Sequence, residues 1–218
     1  MLLYYITDRK QFRGNDAERQ ATLLRKIAEA AHCGVDFIQL REKELSGREL
    51  ETLACAAVHT VRENSSTKSG KSATRILINS RTDIAIACAA DGVHLTSTDV
   101  DPGVVRSLWS RIARAGGKIG PIVTLACHSE EDVARAASSG ADFALFAPVF
   151  EKGDAPDVGA AGLEILRNAC RQQIPAIALG GVTLENARQC VDAGAAGIAG
   201  IRLFQQNDIA SLVRRLRD

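Results

Sequence analysis

Eight short apolar, β-prone runs alternate along the chain with stretches whose apolar residues recur at helical spacing, and this alternation constrains the fold more than any other feature. The runs are Leu2–Thr7, the stretch Phe37–Lys43 with its polar end, Arg75–Asn79, Asp91–Leu95, Pro121–Ala126, Phe143–Pro148, Pro175–Leu179 and Ile198–Ile201. Between them lie capped helical segments, with Asn15 or Asp16, Ser46, the Asp101-Pro102 pair, Ser129, Thr183 and Asp208 as their starts. A diffuse repeat recurs at the other end of the helices. Cys33-Gly34-Val35-Asp36-Phe37, Ala90-Asp91-Gly92-Val93, Gly140-Ala141-Asp142-Phe143 and Gly194-Ala195-Ala196-Gly197-Ile198 each put small residues just before an apolar strand. Eight strand–helix units predict an α/β protein: one parallel (β/α)8 TIM barrel, a single domain spanning residues 1–218.

Composition narrows the function. Lys and Arg total 27 against 26 Asp and Glu, which excludes a dedicated nucleic-acid or anionic-membrane surface and makes any anion site local. The start carries no basic leader, and no segment is apolar for the length of a membrane span, so a cytoplasmic location is expected. The oligomeric state stays open, with a homo-oligomer among the options. Six cysteines, at 33, 55, 88, 127, 170 and 190, show neither C-x-x-C spacing nor the density of a secreted scaffold. Five read as small hydrophobes on helices; Cys127, beside His128 at a strand end, is a weak candidate nucleophile.

In a barrel of this kind the chemistry sits at the C-terminal ends of the strands. The run Phe37-Ile38-Gln39-Leu40-Arg41-Glu42-Lys43 starts apolar and ends by presenting an amide, a guanidinium and an ammonium. Alternation puts Gln39 and Arg41 on one face and Ile38 and Leu40 on the other, with Lys43 continuing the polar face. Three donors there suit an anionic substrate; the plainer alternative is an edge strand running into a solvated turn. Asn79, Asp99 and His128 are expected at the same mouth. His128 can move a proton near neutral pH, or simply cap the next helix. His94 reads as packed within a strand, and His32 and His59 as helix-surface residues. Gly180 and Gly181 after strand seven and Gly200 at the end of strand eight fall where such barrels bind phosphate, although tight turning alone also calls for glycine. The polar segment 64–74 reads as a surface loop on the opposite face, and 151–157 as a candidate lid.

Several of these segments occur in the order of a known family. Tyr5-Ile6-Thr7-Asp8, Gln39-Leu40-Arg41-Glu42-Lys43, Ile78-Asn79-Ser80-Arg81, Asp91-Gly92-Val93-His94-Leu95, Cys127-His128-Ser129, Ala147-Pro148-Val149-Phe150 and Ile177-Ala178-Leu179-Gly180-Gly181-Val182 resemble the thiamine phosphate synthase and TenI superfamily over nearly the whole chain. In its synthases a pyrimidine methyl diphosphate ionises and is captured by the nitrogen of a thiazole phosphate, with magnesium on the leaving group. The resemblance implies Gln39, Arg41 and Lys43 on the pyrimidine diphosphate, Gly180 and Gly181 on the thiazole phosphate, and Asp99 as a magnesium ligand.

The chain departs from the synthase pattern in four places. Asn79-Ser80 replaces Asn-Asp, Thr124-Leu125-Ala126 replaces Gly-x-Ser, Glu151-Lys152-Gly153-Asp154-Ala155 replaces Pro-Thr-x-Thr-Lys, and Arg202 stands where a small Ser is expected. Loss of one carboxylate weakens the case for magnesium. Val149-Phe150-Glu151 followed by Gly159 and Gly162 is closer to the TenI branch, whose members isomerise a thiazole carboxylate phosphate with a histidine at the position of His128 and no metal. The first expectation is therefore a cofactor-free TenI-like tautomerase; the alternative is a magnesium-dependent thiamine phosphate synthase. A non-catalytic thiazole-phosphate binder and another phosphate-sugar isomerase on the same barrel are further readings.

Overall fold

Asp36, Asp91 and Asp142, the acids of the small-residue repeat, close the strands at one end of the molecule. Each carboxylate accepts a backbone N–H from the start of the preceding strand: Leu3 to Asp36 at 2.7 Å, Ile76 to Asp91 at 2.9 Å, Val123 to Asp142 at 2.7 Å. Arg217, Arg75 and Arg106 neutralise the three carboxylates in turn. These N–H groups would otherwise begin their strands without a partner. Asp142→Ala is expected to lower the unfolding free energy by about 1–2 kcal/mol, read from urea unfolding, because it orphans Val123 N and removes the ion pair of Arg106, which keeps only its bonds to the Gly140 and Pro121 carbonyls.

The computed structural model describes residues 1–65, 73–113, 120–151 and 161–218. Eight parallel strands form a closed barrel in sequence order. They are β1 Leu2–Ile6, β2 Phe37–Leu40, β3 Arg75–Asn79, β4 Gly92–Leu95, β5 Ile122–Cys127, β6 Phe143–Phe146, β7 Ala176–Ala178 and β8 Gly197–Gly200. β8 pairs back to β1 with Tyr5 opposite Gly200, so no edge is left open. The helices are α1 Asp16–Cys33, α2 Gly47–Asn64, α3 Thr82–Ala87, α4 Pro102–Ala113, α5 Glu130–Ser138, α6 Gly162–Ala169, α7 Ala187–Asp192, α8 Arg202–Gln205 and α9 Ile209–Arg217. Capping boxes start three of them: Asn15 with Glu18, Ser46 with Glu49, and Ser129 with Asp132. The helix expected from Thr183 begins only at Ala187, because Thr183 and Asn186 first exchange side-chain and backbone bonds in a turn.

Strand alternation sorts the core into two layers. Ile38, Leu40, Ile76 and Ile78 pack outward against the helices. Tyr4, Phe37, Leu77, Leu145, Ile177 and Ala199 fill the barrel itself. There Phe37 stacks between Tyr4 at 5.6 Å and Phe143 at 5.2 Å. The same inward face carries a buried polar chain in which the Tyr4 hydroxyl and His94 Nδ1 both meet Thr124 Oγ1, at 3.2 and 2.9 Å. Burial holds the His94 imidazole down to about 4, so it is neutral and structural, as its place within a strand predicts.

The cysteines correct one expectation. Cys55 on α2 and Cys88 just past α3 are disulfide-bonded, with Cα atoms 4.8 Å apart, so these two are no independent small hydrophobes. Neighbouring helices around the barrel bring together residues 33 positions apart, which no local spacing reports. Cys33, Cys127, Cys170 and Cys190 remain thiols. Cys127 is the last residue of β5 and fully buried; burial pushes its thiol up to about 12, which excludes it as a nucleophile. Among the described residues no helix is long and apolar enough to cross a membrane. The loop 64–74, for its middle part, and the candidate lid 151–157, beyond Glu151, lie outside the described residues.

Candidate active site

At the C-terminal ends of β2, β3 and β4 the side chains form one hydrogen-bonded chain. Gln39 Nε2 donates to Asn79 Oδ1 at 2.8 Å, Asn79 Nδ2 to Ser80 Oγ at 3.1 Å, and Ser80 Oγ to Asp99 Oδ2 at 2.8 Å. The Thr96 N–H and hydroxyl donate to the same Asp99 oxygen. Gln39 and Asn79 meet because each is the last inward-facing residue of its strand, with Gln39 in register with Leu77 on β3. Ser80, at φ +59°, turns the chain out of β3 and aims its hydroxyl across at the β4 loop. Gln39 Oε1 is left buried with no hydrogen-bond partner among the described residues. An acceptor held dry and unpaired is costly and fits a donor arriving with a ligand.

β2 ends at Leu40, so Arg41 lies just past the strand and not on it as alternation alone predicts. Arg41 is half-buried and Lys43 exposed. Lys43 lines a cavity of about 350 Å³ with Asn79, Ser80 and Arg81. After burial and Asp99, the charges of Arg41 and Lys43 are what act on His94, so both cations and the Asp99 carboxylate bear on the end of β4.

Across the barrel, Gly180, Gly181 and Gly200 line a larger cavity of about 950 Å³ together with Thr183, Arg202 and Arg215. Gly180 and Gly181 adopt φ +95° and +65°, and a Cβ on either would sit 2.7 Å from the β6 loop, at Pro148 or Phe150. Glycine is therefore demanded by close backbone packing as well as by any ligand. That packing is hydrogen-bonded: Val149 N–H donates to Leu179 O and Phe150 N–H to Gly180 O.

His128 does not join the Gln39 group. It is exposed at the end of β5 and lines a cavity of about 360 Å³ with Ser129, Pro148 and Ile165. Its Nδ1 lies 2.7 Å from the Ala147 carbonyl, which can only accept, so Nδ1 carries the proton and Nε2 is the basic nitrogen of the neutral ring. Its backbone N–H donates to Asp132, so the residue also helps to cap α5.

Two residues had no role from the sequence. Ser80 bridges Asn79 to Asp99, and Glu42 is buried between Arg41 and Lys43. The period-2 pattern carries a signal for Glu42, since a residue between two mouth-facing cations falls on the opposite face, with Ile38 and Leu40.

Among the described residues no three His, Cys, Asp or Glu side chains gather as a metal site. Magnesium, however, commonly takes one or two carboxylates with substrate phosphates and water supplying the rest. Asp99 with the Ser80 hydroxyl beside it offers one carboxylate of the kind such an ion takes.

A closed (β/α)8 barrel whose polar side chains and glycine turns converge on the C-terminal ends of its strands defines a barrel enzyme of small-molecule metabolism. The chain belongs to the family described as Thiamine monophosphate synthase, whose sequence profile matches residues 3–204, and it is thus an enzyme of thiamine biosynthesis. It is 39% identical to a "Putative thiamine-phosphate synthase 2" of Aquifex aeolicus, over 93% of this chain and 96% of that one. It is 37% identical to a "Thiamine-phosphate synthase" of Methanoculleus marisnigri, over 99% and 93%. Among solved structures, a "Thiamine phosphate pyrophosphorylase from Pyrococcus furiosus" superposes with a TM-score of 0.78 at 27% identity, covering 99% of this chain and 93% of that one.

Proposed function

We propose that the chain is a thiamine-phosphate synthase, the alternative of the sequence expectation, in preference to the TenI-like tautomerase expected first. The observation that carries this reading is that the mouth has two separate polar stations. One is the glycine cavity of β7 and β8; the other is the Gln39–Asn79–Ser80–Asp99 chain with Arg41 and Lys43. A condensation of two substrates needs both, whereas isomerising one thiazole phosphate needs only the first. The names of the relatives support the same choice.

In this reading the thiazole phosphate sits on the Gly180, Gly181 and Gly200 backbone, and the pyrimidine at Gln39, whose unpaired Oε1 accepts from the ring's amino group. Arg41 and Lys43 hold the diphosphate. The C–O bond to the diphosphate breaks, its electron pair leaves with that group, and the thiazole nitrogen forms the new C–N bond. The two cations stabilise the charge that develops on the departing oxygen. Bound magnesium would add positive charge to the same leaving group, with Asp99 as the protein carboxylate facing it and Ser80 where the family pattern has a second one.

His128 gives the tautomerase a specific foothold, because the Ala147 carbonyl fixes its tautomer and leaves Nε2 to exchange a proton. The two readings separate in paired assays of purified protein: both synthase substrates with magnesium, and the thiazole carboxylate phosphate alone. Thiamine phosphate formation that stops with chelator and survives His128→Ala within about threefold is the expected result. Metal-independent tautomerisation abolished by His128→Ala would overturn it, and silence in both assays would favour a non-catalytic binder.

A further inference from the structure

Glu42 stands between the two cations of the β2 loop and faces the other way. It is 3% exposed. Both of its oxygens are met by donors from the end of β1: Thr7 Oγ1 donates to Oε1 at 2.5 Å and the Arg9 N–H to Oε2 at 2.9 Å. Thr7 Oγ1, fully buried, in turn accepts the Arg41 N–H at 3.0 Å. Two residues further on, the buried Arg9 guanidinium bonds Glu44 at 2.6 Å. Residues 41–44 leave the sheet at Leu40, and this set of bonds is what ties them to the β1 loop.

We propose that Glu42 is a positioning residue whose carboxylate, relayed through Thr7, fixes the backbone of Arg41 and thereby aims Arg41 and Lys43 at the diphosphate. This inference rests on the diphosphate assignment made above for those two cations. A buried carboxylate is costly even when bonded, and an apolar residue of similar volume would serve packing better. Here its bonds lock a loop and extend no core, which is the mark of a group kept for function.

The same geometry makes the clamp sensitive to pH. Burial raises the Glu42 carboxyl from 4.5 to about 7, against the pull of the Thr7 and Arg9 donors, with Glu44 and Asp8 adding to the rise. Tyr5 of β1 also feels its charge. A proton on the carboxyl turns an acceptor into a donor facing donors, so the clamp is complete above about pH 7 and weakens below it. Global stability moves the opposite way. The folded value lies above the ordinary one, so the folded chain holds a proton the unfolded chain has lost, and stability falls as pH rises from 4.5 to about 7.

Amide hydrogen exchange reads the clamp without any substrate. Protection of the Arg41 and Arg9 amides, corrected for intrinsic rate, is expected to rise about tenfold between roughly pH 6 and 8 in the wild type and to stay low and flat in Glu42→Gln. Thr7→Val should lose Arg41 protection while Thr7→Ser keeps it, which preserves the test if Glu42→Gln folds poorly. Calorimetry with inorganic diphosphate at about pH 8 should show affinity about tenfold weaker in Glu42→Gln, and inorganic phosphate affinity unchanged. Equal protection in wild type and Glu42→Gln overturns the positioning role. A loop that stiffens with pH in a wild type that binds no diphosphate upholds the clamp and overturns the diphosphate assignment instead.

Discussion

Under the proposed synthase function, Arg41→Ala is expected to lower kcat/KM for thiamine phosphate formation by about 10²–10³-fold, with the thermal midpoint nearly unchanged. A guanidinium offers two parallel donors to a phosphoryl group, and the charge it meets grows as the C–O bond breaks, so the interaction is worth most in the transition state. Arg41 is only half-buried, and the bond that anchors it is made by its backbone N–H to Thr7, so truncating the side chain leaves the fold intact. Arg41→Lys should recover part of the loss, because it restores the charge and lacks the fork. Steady-state kinetics in the pyrimidine diphosphate decide the matter. A loss confined to about threefold would mean that the guanidinium does not touch the reacting group.

Gly181→Ala should have the largest effect of any substitution on the opposite side of the mouth. A side chain at φ +65° costs about 1–2 kcal/mol by itself. The new Cβ would also lie 2.7 Å from Phe150 Cβ and 2.8 Å from two backbone oxygens, of Phe150 and Glu151, in a loop bonded to β7. Overpacking against backbone adds about 1–3 kcal/mol, for a total of about 2–5 kcal/mol in urea unfolding. Inorganic phosphate affinity should fall at least tenfold with it, since the loop that shifts is a wall of the cavity. Gly200→Ala is the control. Its Cβ would meet only the Leu203 side chain, at 3.0 Å, and a cost of about 1 kcal/mol is expected. Equal effects at Gly181 and Gly200 would show that backbone approach is not what demands glycine after β7.

Much of this was readable beforehand, and for local reasons. Asn15, Ser46 and Ser129 cap the helices they were expected to cap, because a capping box is complete within four residues. Gln39 and Asn79 face one another because period-2 alternation and parallel register leave both on the inward face. The Asp of the small-residue repeat was visible as a pattern, yet its bond to the preceding strand was not, since the donor lies 15 to 33 residues away.

The site divides along the same line. Donor-rich loops, a glycine pair and a histidine at strand ends are properties of composition and spacing, and they located the mouth and the family. Their grouping is not. That His128 lines its own cavity apart from Lys43 and Asn79, that Ser80 joins Asn79 to Asp99, and that Cys55 reaches Cys88 depends on which strand ends and helices the closed barrel sets side by side. The sequence by itself determined the eight-fold alternation, the helix starts and the kinds of group at the mouth, because each is encoded within a few residues. Only the tertiary structure decided which of those groups share a hydrogen bond, and that Glu42 is buried against the end of β1 to hold the loop of Arg41, because burial and pairing are set by partners the chain brings in from elsewhere.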